Sequence, residues 1–444
     1  MDGRENGQVK PKQLLSVTDG VFLTVGMILG ALIFKAPSTV AAATGTPTLF
    51  FLAWILGGVA SLCGALVYAE LASRRPHTGG EYTFLRDGWG RGVAFAFGWA
   101  RMTVIQPAAI AAVGFVFGDY ASEILPLGDK SAAVWCALAV VILTLLNFAG
   151  TLQAKGVQKA MEITLLSVLV LFSIAAIAIG GTPKPAAGAG GGSFGLAMIF
   201  VLLAYGGWNE AAYLAGEVRD GRRNMTRILV GGVIAVTALY LLVNWAYLAV
   251  LGLGGVRESK AVAADVMRII AGERGAVLIA LIVCVSVITT MNAAIFTGAR
   301  TTYALGRDFP VFARLGTWRE SGSTPANALV VQGLITLALV AAGTVTPDGF
   351  SAMVAYGAPV FWVFFLLTGL TLFRFRRSEG AAPFRVPLYP IVPLAFSALC
   401  LYMLYSSIDY VRNPEYGPKF GAAVLAGIAV MIAGIPLYFL SRKK

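Results

Sequence analysis

Two stretches of this 444-residue chain carry backbone that can serve as ligand. The first runs from Gly26 to Phe34. There Gly26 and Gly30 interrupt a long apolar run, and Lys35 and Pro37 follow. The second reads Ala204, Tyr205, Gly206, Gly207, Trp208, Asn209. In hydrocarbon, unwound backbone persists only where it is buried in protein or lines a cavity. Its N–H and C=O groups then become ligands for a zwitterion or an ion. Gly-interrupted spans at corresponding places in two halves of a membrane chain point to a secondary transporter's binding site. Charges inside apolar runs are the other chemistry-bearing positions: Lys35, Arg101, Glu162 and Glu210. Lys35 is expected to face the outer vestibule, and Glu162 the interface. Arg101 either snorkels or pairs with an acid such as Glu70. Glu210, just past the second break, binds an ammonium, carries a proton, or faces the cytoplasmic vestibule.

Enzymatic chemistry finds no support in these residues. It needs a nucleophile–base pair or a metal cluster. His77 is the sole histidine and falls in a connection. Cys63, Cys136, Cys284 and Cys400 scatter through apolar runs without paired spacing, so they read as small buried hydrophobes with no disulfide or metal pattern.

The elements that must position the two breaks are membrane helices. The chain is 58% hydrophobic and 13% charged, with mean hydropathy +0.78; a soluble domain carries about 25% charged residues. A hydrocarbon core of about 30 Å takes about 20 apolar residues per helix. Twelve spans follow, at 15–43, 48–73, 92–117, 132–149, 160–180, 196–217, 226–252, 275–304, 327–345, 350–373, 388–408 and 420–440. Spans one and six are the broken ones. The longest connection, 253–274, leaves no room for a soluble domain. Asp19 or Thr18 is placed to cap the first helix, Pro37 suits the first turn of its second half, and Pro47 starts span two. No cleavable signal peptide is evident.

The net charge of +12 does not mark a nucleic-acid partner. Lys and Arg crowd alternate connections, such as 74–91, 219–227, 300–319 and 374–385, and are sparse in the others. By the positive-inside rule the crowded side is cytoplasmic, with both termini on it. A multi-pass protein of a cell (inner) membrane, with the bilayer as its surroundings, is the expectation.

Several segments carry a family likeness. Pro76, Gly79, Gly80, Glu81 and Tyr82, followed by Gly98 and Trp99, form a Pro-x-x-Gly-Gly-Glu-Tyr pattern. That pattern resembles the amino acid–polyamine–organocation superfamily. Asn147 to Gly150 is similar to its Asn-x-x-Gly. Residues 204–209 resemble the Ala-Tyr-Gly-Gly-Trp-Asn of L-type amino acid transporters, and Gly216, Glu217, Val218 with Arg222, Arg223, Asn224 resemble the loop that follows. Arg300 to Asp308 and Arg385 to Pro390 match later segments. The resemblance implies an all-α polytopic membrane fold of twelve helices with two inverted five-helix repeats. A tail of 1–14 precedes repeats at 15–180 and 196–373, and peripheral helices occupy 388–440.

It also implies a site between the breaks. The half-helix after the first break would receive a carboxylate on its N–H groups. Carbonyls near Ile28, and those of Leu203 and Gly206, suit an ammonium. Gly30, Ala31, Leu32, Ile33, Tyr205, Gly207, Trp208, Asn209 and Glu210 complete the expected substrate-binding set, with Gln106 as a further wall. The chain departs from its relatives at Ala31 and Leu32, where L-type transporters read Ser and Gly; Leu disfavours positive φ and adds bulk. Leu203 replaces an aromatic gate. The lysine that proton-coupled and exchanging relatives place in span five is absent near Leu165. Ser286, Thr289 and Thr290 resemble the hydroxyls of a sodium site, which Gly26 and Leu29 carbonyls would complete; hard cations take such oxygens. The alternative is that both threonines bond their own helix carbonyls.

These implications support a secondary active transporter of small neutral amino acids working by alternating access, with sodium as a coupling ion. The alternatives are sodium-independent exchange, or transport of polyamines and other organic amines. No cofactor is expected. The loop at 118–131 has no cysteine, so no covalent partner subunit is expected either.

Overall fold

The computed structural model describes residues 4–5, 8–9, 16–75, 80–150, 155–181, 183, 194–209, 218–320, 324–409, 411–413 and 417–442. A two-residue antiparallel pairing, Arg4–Glu5 with Gln8–Val9, precedes the helices. Helix α1 (Val17–Ile28) starts with a reciprocal cap. Ser16 Oγ accepts from Asp19 N, and Asp19 Oδ2 accepts from Ser16 N. The cap is therefore Ser16, and Asp19 answers it from the third helical position, as in a capping box. After the first break come α2 (Ala36–Thr44) and α3 (Pro47–Arg74), the latter capped by Thr46. A short α4 (Gly80–Trp89) leads to α5 (Arg91–Ala100). A π turn at Arg101–Ile105 joins α5 to α6 (Gln106–Ile124).

Helices α7 (Ser131–Ala149), α8 (Lys155–Ile179) and α9 (Phe194–Ala204) follow, the last ending at the second break. Helices α10 (Gly221–Glu258) and α11 (Val262–Asp308) bend at Gly252 and Gly272, each with φ of 68°. The expected connection at 253–274 is thus largely helical. Helices α12 (Ala326–Gly343), α13 (Gly349–Ser378), α14 (Ile391–Asp409) and α15 (Gly417–Arg442) complete the chain.

Nine helices among the described residues are long and apolar enough to cross a membrane. Three shorter apolar helices, Val17–Ile28, Ile163–Ile179 and Phe194–Ala204, fall where spans one, five and six are expected. The continuous span Arg91–Ile124 is the most enclosed, with 89% of its apolar window buried. It forms the centre of the bundle.

Two sets of helices pack closely among themselves. Helices α1, α2, α3, α9 and α10 lie on one another, and α6, α7, α11 and α12 form the second group. Small residues allow the close approach. On α3, a Cβ at Gly58 would meet Thr237 of α10, and one at Gly64 would meet Trp208. The first break lies between the groups, in contact with α2 and α9 of the first and with α6 and α11 of the second.

Candidate functional site

Span one unwinds after Ile28. The Gly30 N–H donates to the Ile28 carbonyl, two residues back, at 2.7 Å. The helical ladder stops there, and the Gly26 carbonyl loses its usual donor. Gly30 is extended, with φ −98° and ψ −173°. Residues Ala31–Phe34 make one 3-10 turn, and α2 resumes with Pro37 in its first turn. The leading N–H groups of that turn, at Ala31 and Leu32, have no acceptor within it, whereas its i to i+3 register commits the Ile33 N–H, expected to be free for substrate, to the Gly30 carbonyl. Leu32 is half-buried and helical, and among the described non-glycine residues only Asp220 and Leu388 have positive φ. The backbone strain expected at Leu32 is absent. Its bulk remains.

The second break is a turn at Tyr205–Asn209. Gly207 has φ +109°, and a Cβ there would collide with the Met27 carbonyl and the Ile28 nitrogen. Only glycine combines that φ with that contact. The two breaks therefore meet backbone against backbone.

Tyr240 of α10 ties them together. Its hydroxyl lies 2.9 Å from the Ile28 carbonyl and 2.9 Å from the Ala204 carbonyl. One O–H serves two acceptors. The Ile28 oxygen, expected as a free acceptor, thus receives both Gly30 N–H and Tyr240, and Leu203 O receives Gly206 N–H at 2.9 Å. The sequence reading missed Tyr240. Its signal was available, because Tyr240, Asn244 and Tyr247 recur at i, i+4 and i+7 on one face of an apolar span.

The two aromatic side chains of the second break turn into packing. Tyr205 is buried between Trp54 and Tyr240 and donates to the Trp54 carbonyl at 3.1 Å. Trp208 is buried against Tyr68 and Phe365, with ring centroids 5.0 and 5.7 Å away. Asn209 folds back to accept from Gly207 N at 3.2 Å. Glu210 lies outside the described residues, as do 211–217 and the side chain of Glu162.

Charges in the spans find named partners. Asn209 Nδ2 reaches Glu81 at 3.4 Å, Tyr68 donates to the same carboxylate at 2.6 Å, and Arg101 approaches it at 3.4 Å. Glu81 and Arg101 are both buried. Arg101 therefore meets Glu81 rather than Glu70. Glu70 receives Arg74, Arg376 and the Val386 N–H. Lys35, expected to face the outer vestibule, is buried beside Asp119. On the arginine-rich side, Tyr82 of α4 donates to Asp308 at 2.6 Å. Burial, with the Asp308 carboxylate as acceptor, pushes the Tyr82 phenol well above its usual range, so it remains a donor.

Span eight does come to the first break. A Cβ on Gly30 would lie 3.8 Å from Thr290 Cγ2. Thr289 and Thr290 direct their protons to the Ser286 carbonyl, at 2.6 and 3.2 Å. This is the helix-bonded alternative, and it leaves lone pairs on both hydroxyls. The residues that could hold a small hard cation are these hydroxyls with the Gly26 and Leu29 carbonyls, all neutral oxygens. Among the described residues, no group of three His, Cys, Asp or Glu could hold a metal ion. Gln106, expected as a further wall, donates to Ala294 O of α11 at 2.8 Å.

Comparison with known proteins gives the family. The serine/threonine exchanger SteT of Bacillus subtilis (strain 168) is 29% identical over 455 residues, covering 100% of this chain and 99% of that protein. The b(0,+)-type amino acid transporter 1 of Homo sapiens is 28% identical, covering 96% of this chain and 87% of its own length. The cystine/glutamate transporter of Homo sapiens is 26% identical over 99% of this chain and 86% of its own. A profile of the amino acid permeases matches residues 15–433. With nearly its whole length inside that match, the chain belongs to the amino acid permease family and is a membrane transporter rather than an enzyme.

Proposed function

We propose that this protein exchanges small neutral amino acids across a cell membrane by alternating access, binding them between the two breaks. The observation that carries this reading is the junction itself: Gly207 seated on Met27, with one Tyr240 hydroxyl shared by the Ile28 and Ala204 carbonyls. A substrate carboxylate takes the N–H groups of Ala31 and Leu32, which lead the 3-10 turn. The ammonium displaces the Tyr240 proton from one of its two acceptors and meets the Gly206 carbonyl. Leu32 and Leu203, both half-buried, limit the side chain to a small one.

Twelve spans in two inverted repeats fit the packing. Spans two and seven (α3 and α10) hold corresponding positions in the two halves and lie together, as do spans three and eight (α6 and α11). The Lys and Arg bias supports cytoplasmic termini. The loop at 118–131 lacks the cysteine a covalent partner would use.

Exchange is favoured by the name of the Bacillus relative. A second reading, sodium symport through Gly26, Leu29, Ser286, Thr289 and Thr290, is favoured by the freed Gly26 carbonyl and the contact of Thr290 with Gly30. Uptake of labelled alanine into proteoliposomes separates them. Exchange requires unlabelled alanine inside and ignores sodium. Net uptake into empty vesicles that needs sodium, and that Thr289→Ala and Thr290→Ala abolish, would overturn exchange in favour of symport.

A further inference from the structure

The first break is gripped from the side opposite the arginine-rich face by two neighbouring residues of α6. Tyr120 donates to the Phe34 carbonyl at 3.1 Å and accepts from Ala263 N at 3.1 Å. Asp119 lies 2.8 Å from the Lys35 ammonium. Lys35 belongs to the packing group of α1, α2, α3, α9 and α10, whereas Asp119 belongs to the group of α6, α7, α11 and α12. The ion pair therefore crosses the seam between the groups. A second carboxylate stands further out. Asp348, the N-cap of α13, has Oδ1 3.9 Å from the same ammonium, and its Oδ2 accepts from Ser351 N at 3.0 Å. Side-chain exposure rises from 7% at Lys35 to 14% at Asp119 and 36% at Asp348.

We propose that Lys35, Asp119 and Asp348 form the outer gate of the transport site, the ammonium passing from Asp119 to Asp348 as the site opens outward. The physical reason is the cost of an unpaired buried charge. Parting α2 from α6 strands Lys35 and Asp119 unless water or another carboxylate replaces the lost partner. Asp348 supplies that carboxylate at the wetter end, and water enters with the motion. Opening and hydration thus occur together. The same logic makes the buried Glu81–Arg101 contact, on the far side of the breaks, the counterpart that holds the inner face shut. Lys35 is here a positioning residue, which acts on the gate and not on substrate.

The proposal rests on the alternating-access reading, so its test needs no substrate. Leu32→Cys, in a chain whose four native cysteines are replaced by alanine, is labelled in right-side-out vesicles with a membrane-impermeant thiol reagent. Lys35→Met and Asp119→Asn each raise the labelling rate about tenfold, the size expected when a buried pair stops favouring the closed state. The reversed pair Lys35→Asp with Asp119→Lys returns the rate toward that of the parent. Glu123→Gln, which breaks an outer ion pair to Arg268 within one packing group, leaves it unchanged. Equal rates in the parent, both single variants and Glu123→Gln overturn the gate, as does acceleration by Glu123→Gln as large as by Asp119→Asn. Should Lys35→Met not fold, Asp119→Asn and the reversed pair decide the matter. Failed alanine exchange with the expected labelling pattern overturns the transport reading and leaves the gate standing.

Discussion

At the scale of the residue, two glycines that look alike in sequence behave differently. Gly30 has ordinary φ, and its nearest neighbours lie 3.8 Å from where a Cβ would stand. Gly207 has φ +109° and rests on the Met27 carbonyl. Gly30→Ala therefore changes thermal stability by no more than about 1 kcal/mol. Gly207→Ala lowers it by several times as much and stops transport, because strain and collision add. Thermal unfolding of the two purified variants beside the parent checks this contrast. Tyr240→Phe keeps the ring packed against Trp54 and Tyr205 but removes the shared proton. Folding is retained. Alanine exchange falls at least about tenfold, since the Ile28 and Ala204 carbonyls lose a net hydrogen bond of about 1 kcal/mol and their relative placement with it. Unchanged exchange in Tyr240→Phe would remove the hydroxyl from the account.

At the scale of the element, the inner network joins four elements, one of them remote in sequence from the other three. Glu81 begins α4, Tyr68 lies on α3, Asn209 ends the second break, and Arg101 starts the π turn of span three. Arg101→Met takes this guanidinium from a buried carboxylate, a change worth about 3–5 kcal/mol. Glu81→Gln added to it restores part of the lost melting temperature, because a neutral amide needs no counter-charge. Unfolding midpoints of the single and double variants test the coupling. These joins show where the sequence could be read and where it could not. The breaks, Pro37, Pro47 and the apolar runs are local patterns, legible from glycine, proline and hydropathy alone. Capping by Ser16 instead of Asp19 or Thr18 is a one-turn ambiguity of the same local kind. Partnerships across the bundle have no local signature. Arg101 could equally have met Glu70, and only packing brings it to Glu81. Tyr205 and Trp208 could have lined a pocket, yet α3 carries the aromatic and glycine positions that receive them. Leu32 was expected to strain the backbone because the turn type at the break cannot be read from composition.

At the scale of the whole molecule, the breaks lie at the seam of two helix groups, with buried ionic contacts on either side of them. That arrangement suits a binding site reached from one face at a time. It also explains why the lipid-facing helices are plain. Leu138, Ile142 and Leu145 of α7 are exposed apolar residues, as a bilayer surface requires. The central claim is that both breaks close on one substrate, and amide hydrogen exchange in the purified full-length protein tests it most directly. Saturating alanine or serine is predicted to slow exchange at residues 31–33 and 206–209 together, because ligand binding suppresses local opening at the groups it orders. Protection at neither segment, in a preparation that exchanges labelled alanine after reconstitution, would contradict the claim and place the substrate elsewhere in the bundle.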